Sequence, residues 1–544
     1  MTMKPAWKTA AVALFTVAFL FGGLFGDRLL AITDETRAAM RDYTELLSVV
    51  HDGSGSEVKY SDLVSASIQG MLRTLDPHSS YLPPDSYETM RERQQSSFYG
   101  LGILVGRRNG QLTVITPIEG TPASRLGIRA GDIISRIEDE PTEAMTINEA
   151  VRKLKGPKGT QVRIHIVRSS LDEPLELTIT RDEIPQNSVR YTYMLDETTG
   201  YLALVDFNRG TGDEMAQAIE DLKQAGMERL LLDLRFNGGG LLDQAIEVAD
   251  LFLPSGASIV ETRGRARGAD EKYGADSDTP DVDLPVVALV NGSTASAAEI
   301  LAGAIQDHDI GLVAGSSTWG KGLVQTVYSL SYGSGIALTT AKYYTPSGRL
   351  IQRDYSSWYD YHTRANVGEN GDTAAGEDGE QVASAEVFFT DLGREVFGGG
   401  GITPDVQIEA PEAPQIAQRL AGRNAFFDFA VDYANRGLVD SESWSPPENL
   451  SQIFADWVVE RDLLPAEEVE DALADAEVAS YLSNHLHAEI IGASFGLEAR
   501  HKILARTDPQ IQEAIDLFGP ASELQAERRR LGDRSQELTL SPRG

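Results

Sequence analysis

The chain has 544 residues, of which 41% are hydrophobic and 24% charged, a composition typical of a globular protein too long for a single hydrophobic core. Its 48 Lys and Arg residues are outnumbered by 82 Asp and Glu residues, and the resulting net charge of −34 argues against a nucleic-acid partner. It contains no cysteine, which excludes disulfides and thiolate metal sites.

The N-terminal segment has the pattern of a membrane or export signal. Lys4 and Lys8 precede an uncharged run from Thr9 to Gly26, which as a helix would span roughly 27 Å, just enough to cross a bilayer. Basic residues before the run and acidic residues after it predict the N-terminus inside and the remainder outside. Residues 1–30 are therefore a signal anchor or a signal peptide, and the lack of an evident cleavage site favours the anchor.

Residues 31–95 form a predicted N-terminal helical region. Apolar side chains recur there at helical spacing in two stretches, namely Met40, Tyr43, Leu47 and Val50, and then Val64, Ile68, Met71, Leu72 and Leu75. A break containing Gly and Ser separates the two stretches, so at least two helices are expected.

Between residues 96 and 184 the pattern changes to short strands and turns. Runs such as QLTVITPI and TQVRIHIVR surround one helical run, INEAVRKLKG. Together with GTPASRLGIRAGDIISRI, this arrangement resembles a PDZ domain. In such a domain the loop of Gly100, Leu101, Gly102 and Ile103 would offer backbone amides to a peptide carboxylate, and the following strand would accept the peptide as a further strand. A small β domain without a ligand is the alternative.

From residue 200 the chain alternates between strand and helix. The runs GYLALVDF, DEMAQAIEDLKQA, RLLLDLR and LLDQAIEVADLFL follow one another in βαβ order. The turn RFNGGG, residues 235–240, comes after a buried strand and opens a helix, so its amides are expected to form an anion-binding nest. A tight helix entry without a ligand is the plainer interpretation of the three glycines.

A candidate nucleophile lies at the start of the next helix. Residues 285–291 form a short apolar run that predicts a buried strand, and apolar residues recur at helical spacing from Ser296 onward. The first amides of a helix have no partner within it. The N–H of Ala297 is therefore placed to stabilise the oxyanion that forms when Ser296 attacks a carbonyl group.

A serine hydroxyl needs a base within hydrogen-bonding reach. His308 lies twelve residues along the same helix, roughly 18 Å away, and that distance excludes it. Lys321 is the candidate, because a lysine desolvated by apolar neighbours loses its proton more easily and can act as a neutral base. If residues 324–330 form a strand, Gln325 shares a face with Lys321 and can hold its amine.

The turn around Lys321 also imitates a phosphate-binding P-loop. The spacing from Gly315 to Gly320 and Lys321 fits that motif, but Gly322 stands where Ser or Thr would bind the metal ion. The nucleotide-binding interpretation is therefore disfavoured. A structural interpretation, with Ser296 as a helix cap and Lys321 as a solvated turn residue, remains the other alternative.

Taken together, GSTASAAEILAGAIQD and STWGKGLVQ resemble the C-terminal processing, or tail-specific, peptidases. The resemblance implies that Ser296 is the nucleophile, Lys321 the general base and Gln325 the support of the lysine. It also implies that Gly239, or Gly238 where proline is common in the family, supplies a second oxyanion donor beside Ala297. AAEI replaces the common ASEI, but the serine lost is not the nucleophile.

The fold implied by this resemblance is α/β. A ClpP/crotonase-like peptidase core is expected over residues 185–410, with an inserted PDZ domain over residues 96–184, N-terminal helices and a helical C-terminal extension over residues 411–544. Residues 354–397 are acidic and glycine-rich, and we expect them to form a mobile insert in the core. The extension contains no catalytic motif, and packing is its simplest role.

The implied function is that of a serine endopeptidase in the bacterial cell envelope, on the periplasmic side and anchored to the inner membrane. It would bind a protein with a free C-terminus in its PDZ groove and cleave near that end, without a cofactor or metal ion. Two alternatives stay open, a catalytically inactive membrane-anchored PDZ adaptor and a crotonase-type acyl-CoA enzyme. The oligomeric state, a homo-oligomer included, is also open.

Overall fold

A computed structural model of the protein describes residues 34–277, 284–354 and 386–540. The chain divides into two compact units, and the division falls between Pro83 and Pro84 in the sequence. Across the described ranges, no helix combines the length and the apolar character needed to span a membrane. The anchor or signal peptide predicted at residues 1–30 lies outside the described residues.

The first unit is helical, as the apolar spacing predicts. It contains α1 (Asp34–Gly53), α2 (Tyr60–Leu72) and the short strand β1 (Ser80–Leu82). The Tyr43 hydroxyl of α1 hydrogen-bonds the Ser67 hydroxyl of α2. The Asp76 carboxylate accepts from the backbone N–H groups of His78 and Ser79, which fixes the turn that leads to β1.

The second unit opens with α3 (Pro84–Gln94), which the sequence grouped with the N-terminal helices. A β-rich domain follows, made of β2 (Ser97–Gly100), β3 (Ile103–Arg108), β4 (Gln111–Pro117), α4 (Pro122–Arg125), β5 (Ile133–Ile137), β6 (Glu140–Pro141), α5 (Ile147–Leu154), β7 (Gln161–Val167), β8 (Leu175–Thr180) and β9 (Asp182–Pro185). Ion pairs join α3 to α5, from Asp85 to Arg152 at 2.7 Å and from Glu92 to Lys155 at 2.6 Å. The Tyr87 hydroxyl of α3 also hydrogen-bonds the Ser329 hydroxyl, so α3 contacts both the β-rich domain and the segment around Ser329.

The main sheet of the β-rich domain has the strand order β3-β4-β5-β7-β8, and β2 pairs with β9 outside it. Every second residue of β7 is buried, so one face of this strand packs against the domain core. The buried residues are Val162, Ile164 and Ile166. The position of β3 at an edge of the sheet leaves one side of that strand available for pairing.

In its described residues, the α/β core contains two larger sheets, one two-stranded sheet and three helices. Its elements are β10 (Val189–Met194), β11 (Thr199–Leu204), α6 (Thr211–Gln224), β12 (Arg229–Asp233), α7 (Leu242–Asp250), β13 (Ser258–Arg263), β14 (Glu271–Gly274), β15 (Val286–Val290), α8 (Ala297–Asp307), β16 (Gly311–Gly315), β17 (Leu323–Ser329), β18 (Gly335–Tyr344), β19 (Val387–Phe389), β20 (Glu395–Phe397) and β21 (Val406–Gln407). The strands β11, β12, β15, β16 and β21 lie parallel in that order, and β10 adds an antiparallel edge. In the second sheet, β13 and β17 both pair antiparallel with β18, and β14 pairs antiparallel with β13.

The C-terminal extension is helical throughout its described part. It consists of α9 (Gln415–Gly422), α10 (Ala425–Ala434), α11 (Leu450–Glu460), α12 (Ala466–Ala474), α13 (Ala476–Phe495), α14 (Leu497–Ala505), α15 (Pro509–Asp516) and α16 (Phe518–Leu540). Its first helices build a hydrophobic core of their own around Phe429 and Phe454. On α10, Asp428 accepts a hydrogen bond from Asn109 of the β-rich domain at 3.2 Å.

The parallel sheet is buried on both faces because its strands carry apolar residues on alternate sides. On β12, Leu230 and Leu232 pack with α6, α7 and α8, whereas Leu231 points to the opposite face. That opposite face is covered by apolar residues of α14, α15 and α16, such as Ile511 and Phe518. The end of the C-terminal extension is thus a layer of the core.

The prediction of a mobile insert at residues 354–397 was wrong for its C-terminal end. The strands β19 and β20 form an antiparallel hairpin. Between them, Arg394 pairs with Asp309 at 2.7 Å and with Asp405 at 2.6 Å, so the hairpin is tied to the core by charge. These ion pairs could not be predicted from the glycine-rich composition of the segment. Residues 355–385 of the predicted insert lie outside the described residues.

His308 ends α8 at the opposite end from Ser296, as the spacing predicts. Its Nδ1 lies 2.7 Å from the Asp391 carboxylate and its Nε2 lies 2.6 Å from the Ser258 carbonyl oxygen. Both partners accept hydrogen bonds, so both ring nitrogens must donate, which only the charged imidazolium can do. Burial lowers the pKa of His308, but these hydrogen bonds more than offset it, and the net pKa lies above the ordinary value.

We expect the stabilisation by His308 to be complete below its ordinary pKa of about 6.5 and to be lost as the pH rises through its higher folded pKa. The difference in melting temperature between wild type and His308→Gln should therefore be larger at about pH 6 than at about pH 9. Burial lowers the pKa of His487, so His487→Gln should show the opposite trend. Equal differences for His308→Gln at the two pH values would contradict the charged form.

Candidate active site

Ser296 stands at the N-terminus of α8 in a strained backbone conformation. Its φ of 58° and ψ of −116° fall in a region that residues other than glycine rarely adopt. The residue is the N-cap of α8, and it is half-buried. Strain of this kind persists only where neighbouring contacts impose it.

The carboxylate of Glu299, in the first turn of α8, provides such contacts. Its Oε2 accepts from the backbone N–H of Ser296 at 2.7 Å and from that of Lys321 at 2.9 Å. Its Oε1 accepts from the N–H of Gly320 at 2.7 Å and from the hydroxyl of Thr318 at 2.5 Å. One carboxylate therefore ties the start of the helix to the loop that carries the predicted base.

The Glu299 side chain is fully buried, and burial raises the pKa of its carboxyl. The hydrogen bonds from its neighbours lower this pKa, but burial is the larger effect and the net pKa lies above the ordinary value. Three of the four partners are backbone N–H groups, which can only donate, and this set of donors suits an ionised carboxylate. The site is therefore built around a buried negative charge held by hydrogen bonds.

Tyr343 of β18 joins the same two segments through their carbonyl groups. Its hydroxyl oxygen lies 3.0 Å from the carbonyl oxygen of Ser296 and 2.6 Å from that of Lys321, so one proton is shared between the two. Burial raises the pKa of Tyr343 well above its ordinary value, which keeps this hydroxyl protonated. The two residues predicted to react are thus brought together, because their backbones share one buried acid and one buried hydroxyl.

The side chain of Lys321 meets the residue predicted to support it. Its Nζ donates to Oε1 of Gln325 at 2.8 Å. The strand β17 begins at Leu323, after Lys321, and has a bulge between Val324 and Gln325. The amide oxygen of Gln325 therefore orients the amine, although Lys321 itself precedes the strand. The backbone amides of Gly320 and Lys321 already bind Glu299, so this loop does not present them to a phosphate.

The turn of residues 235–240 lies directly against Ser296. A Cβ atom placed on Gly239 would come within 2.7 Å of the Ser296 Cβ and 2.8 Å of the Ala297 nitrogen. Its φ of +88° also disfavours any side chain. The backbone N–H of Ala295 donates to the carbonyl of Asn237 at 2.9 Å, which fixes the turn to the loop before Ser296.

The three predicted oxyanion donors differ in whether their backbone N–H already donates a hydrogen bond. In the described part of the chain, the N–H groups of Ala297 and Gly238 have no hydrogen-bond acceptor. The N–H of Gly239 donates to Oδ1 of Asn237 at 2.9 Å. Gly239 could therefore serve an oxyanion only after the Asn237 side chain turns away, whereas Ala297 and Gly238 are available as they stand. The assignment of these donors remains a prediction.

The predicted carboxylate-binding loop connects β2 to β3. Gly102 has a φ of +77°, and a Cβ there would meet Thr121 at 2.2 Å, so the close approach requires glycine. The Leu101 side chain belongs to the core of the β-rich domain. The backbone N–H groups of Leu101 and Gly102 find no acceptor among the described residues. The loop therefore offers amides rather than side chains, and Ile103 begins the edge strand β3 beside it.

Glu299 and Tyr343 were not among the functional residues predicted from the sequence. For Glu299 a signal existed, because Ser296 and Glu299 have the spacing of a capping box, in which the acid returns to the N-cap amide. Tyr343 offers no comparable signal, since its two carbonyl partners are 47 and 22 residues away in the chain.

Comparison with known proteins adds independent evidence. A family model described as Peptidase family S41 matches residues 198–356, and a model of the PDZ domain matches residues 113–168. A carboxy-terminal-processing protease of Bartonella bacilliformis is 42% identical over 294 residues, which cover 53% of this chain and 67% of that protein.

Two further curated relatives are similar over stretches of nearly the same length, 295 and 292 residues. A carboxyl-terminal-processing protease of Synechocystis sp. is 38% identical, and the alignment covers 53% of this chain and 68% of that protein. The carboxy-terminal processing protease CtpA of Bacillus subtilis is 36% identical, and the alignment covers 54% of this chain and 62% of that protein.

We expect Glu299→Gln to lower kcat by about 100-fold, because the amide would direct an N–H₂ group at two donors and shift Ser296 relative to Lys321. Gln306→Leu is the matched control, since it replaces a buried polar side chain at the other end of α8. Steady-state kinetics on a peptide substrate and thermal melting would compare the two variants. A kcat for Glu299→Gln equal to that of the control would contradict the role of the shared carboxylate.

Gly239→Ala should lower kcat by about 100-fold or more, because its Cβ would collide with Ser296 and Ala297. Gly238→Ala is its neighbour and control, since a Cβ there has open space and the backbone N–H is retained. The measurement is kcat for both variants. Similar activities would show that the close approach of the turn to Ser296 is not required.

Proposed function

Because this chain belongs to peptidase family S41, among the bacterial carboxy-terminal processing proteases, we propose that it cleaves proteins near a free C-terminus with Ser296 and Lys321 as its catalytic dyad. The predicted peptidase core with a PDZ domain is confirmed by the family matches. These family matches favour the peptidase over the crotonase-type acyl-CoA alternative. The observation that carries the dyad is the attachment of both residues to Glu299 and Tyr343.

In the proposed reaction, the Ser296 hydroxyl attacks the scissile carbonyl carbon while its proton passes to the neutral amine of Lys321. Gln325 accepts one N–H of that amine and thereby orients the nitrogen for proton transfer from Ser296. The negative charge that develops on the carbonyl oxygen is stabilised by the N–H of Ala297 and by that of Gly238 or Gly239.

The tetrahedral intermediate collapses when its C–N bond breaks and Lys321 passes the proton to the leaving amine. An acyl-enzyme on Ser296 remains. A water molecule then attacks the ester carbonyl carbon while Lys321 takes one of its protons. The C–O bond to Ser296 breaks, Lys321 returns the proton to the Ser296 oxygen, and the acid product leaves. Every proton in this cycle is carried by Lys321, so the proposed reaction requires no cofactor.

The PDZ domain is proposed to bind the C-terminus of the substrate. Support comes from the amides of Leu101 and Gly102, which have no acceptor among the described residues and suit a terminal carboxylate. The edge position of β3 suits strand addition. The helix α5 packs near β3 and would form the other wall of the groove. The substrate class proposed is therefore a protein or peptide with a free C-terminus.

Residues 1–30 are proposed to hold the enzyme at the periplasmic face of the inner membrane. The support is in the sequence, where Lys4 and Lys8 precede the uncharged run from Thr9 to Gly26. A catalytically inactive PDZ adaptor remains the competing function for a protein in this location. The intact set of Ser296, Lys321 and Gln325 favours the peptidase.

We expect the purified enzyme to cleave a peptide with a free C-terminus and to cleave its C-terminally amidated form much more slowly. Ser296→Ala and Lys321→Ala should each lower kcat by about 10⁴-fold or more while peptide binding persists. Ser293→Ala, a serine in the same loop, and Lys342→Ala, an exposed lysine on β18, are the matched controls.

Three results would be decisive. Cleavage by Ser296→Ala at the rate of Ser293→Ala would exclude Ser296 as the nucleophile. No cleavage by wild type, with retained peptide binding, would favour the adaptor. Equal cleavage of free and amidated peptides would contradict recognition of the C-terminal carboxylate.

A further inference from the structure

The turn that carries Gly238 and Gly239 begins with a nearly buried arginine. The side chain of Arg235 is only 10% exposed. Its Nε and Nη2 donate to the Asp233 carboxylate, the latter at 2.7 Å. Its Nη1 donates to Oε1 of Gln510 at 2.8 Å and lies 2.9 Å from Oδ2 of Asp508. The arginine is therefore shared between the peptidase core and the C-terminal extension.

Asp508 and Gln510 are themselves held in fixed orientations. Asp508 is the N-cap of α15, and its Oδ1 accepts from the backbone N–H of Gln510 at 2.9 Å. Gln510 is 5% exposed, and its Nε2 donates to the carbonyl of Ile408 at 3.1 Å, which leaves Oε1 directed at Arg235. These two side chains thus form a preorganised acceptor pair for the guanidinium.

The other partner of Arg235 also contacts the extension. Asp233 accepts from the Tyr201 hydroxyl at 2.8 Å, and that hydroxyl lies 3.4 Å from Nε2 of His501 on α14. The His501 ring stacks on Tyr191 with 4.0 Å between ring centres. Burial lowers the pKa of His501 to about 4, so the ring is neutral near pH 7 and does not compete with Arg235 for the Asp233 carboxylate.

Arg235 is connected to the reacting groups over a very short stretch of chain. Its backbone N–H donates to Asp233 at 2.9 Å, and the next N–H, that of Phe236, donates to Oδ1 of Asn291 at 3.0 Å. Phe236 has a φ of 61° and is 75% exposed, an unfavourable state for a large apolar residue. The turn therefore needs external restraint, and the guanidinium contacts supply it at its first residue.

We propose that Asp508 and Gln510 of the C-terminal extension are positioning residues of the peptidase, which hold Arg235 and thereby place the amides of the 235–240 turn against Ser296. The inference rests on the proposed function, because it takes this turn as the source of an oxyanion donor. It assigns the extension a role in catalysis, where its sequence suggests only packing.

The test compares Asp508→Ser with Asp475→Ser. Serine is a good N-cap, so α15 keeps its cap, but the shorter side chain no longer reaches Arg235. Asp475 caps α13 in the same way, through the N–H groups of Glu477 and Val478, which makes Asp475→Ser the matched control. Asp508→Asn has only one acceptor oxygen for the two donors, the N–H of Gln510 and the guanidinium of Arg235, so it should lose activity as Asp508→Ser does.

We expect Asp508→Ser to lower kcat about tenfold or more, with KM for a peptide substrate changed less than about twofold, because the oxyanion is bound tightly only in the transition state. The affinity for a peptide boronic acid, whose adduct with Ser296 carries a tetrahedral centre, should fall in parallel. The affinity of the PDZ domain for a C-terminal peptide should not change.

A kcat and boronate affinity for Asp508→Ser equal to those of Asp475→Ser would overturn the proposal. Should Asp508→Ser fail to fold, Gln510→Ala is measured instead, and the same comparison of kcat with KM decides. Failure of the proposed function gives a different result, since wild type would then be inactive or Ser296→Ala would remain active.

Discussion

The arrangement of the site depends on one buried carboxylate. One carboxylate oxygen of Glu299 accepts hydrogen bonds from the backbone N–H groups of Ser296 and Lys321. The other oxygen accepts hydrogen bonds from the N–H of Gly320 and the hydroxyl of Thr318. A buried charge is tolerated only when hydrogen bonds replace the lost water, and these four donors do so. If the loop that carries Lys321 moved away from the start of α8, the Glu299 carboxylate would lose some of these hydrogen bonds while still buried, or would become exposed to water. A weak nucleophile and a weak base are useful only when held together, and this constraint holds them.

The same principle explains the layers around the site. The parallel sheet places its helix α8 on one face and the helices α14 to α16 on the other, because β12 and β15 are apolar on both sides. The turn at residues 235–240 leaves the end of β12 and passes over Ser296, while its first side chain, Arg235, is held from the opposite layer by Asp508 and Gln510. The reacting groups thus lie between two layers that both restrain them.

Much of this architecture could be predicted from the sequence, because it follows from local patterns. The periodicity of residues 285–305 indicates strand β15, the N-cap Ser296 and helix α8, and the RFNGGG turn indicates a tight helix entry beside them. Contacts between distant segments could not be predicted in this way. The partners of Tyr343, Asp508 and Arg394 lie far along the chain from these residues. The sequence around each of the three contains no pattern that indicates these contacts. The exclusion of His308, by contrast, needed only the rise of a helix.

The central claim is that Ser296 and Lys321 act as one unit. A double-mutant cycle tests it most directly, with kcat measured for Ser296→Ala, Lys321→Ala and the combined variant on one peptide with a free C-terminus. Residues that act as a unit are strongly non-additive. We predict that the combined variant will be no less active than either single variant, because either change alone already removes the dyad. Losses that multiply in the combined variant would show that the two side chains contribute independently, and would contradict the account.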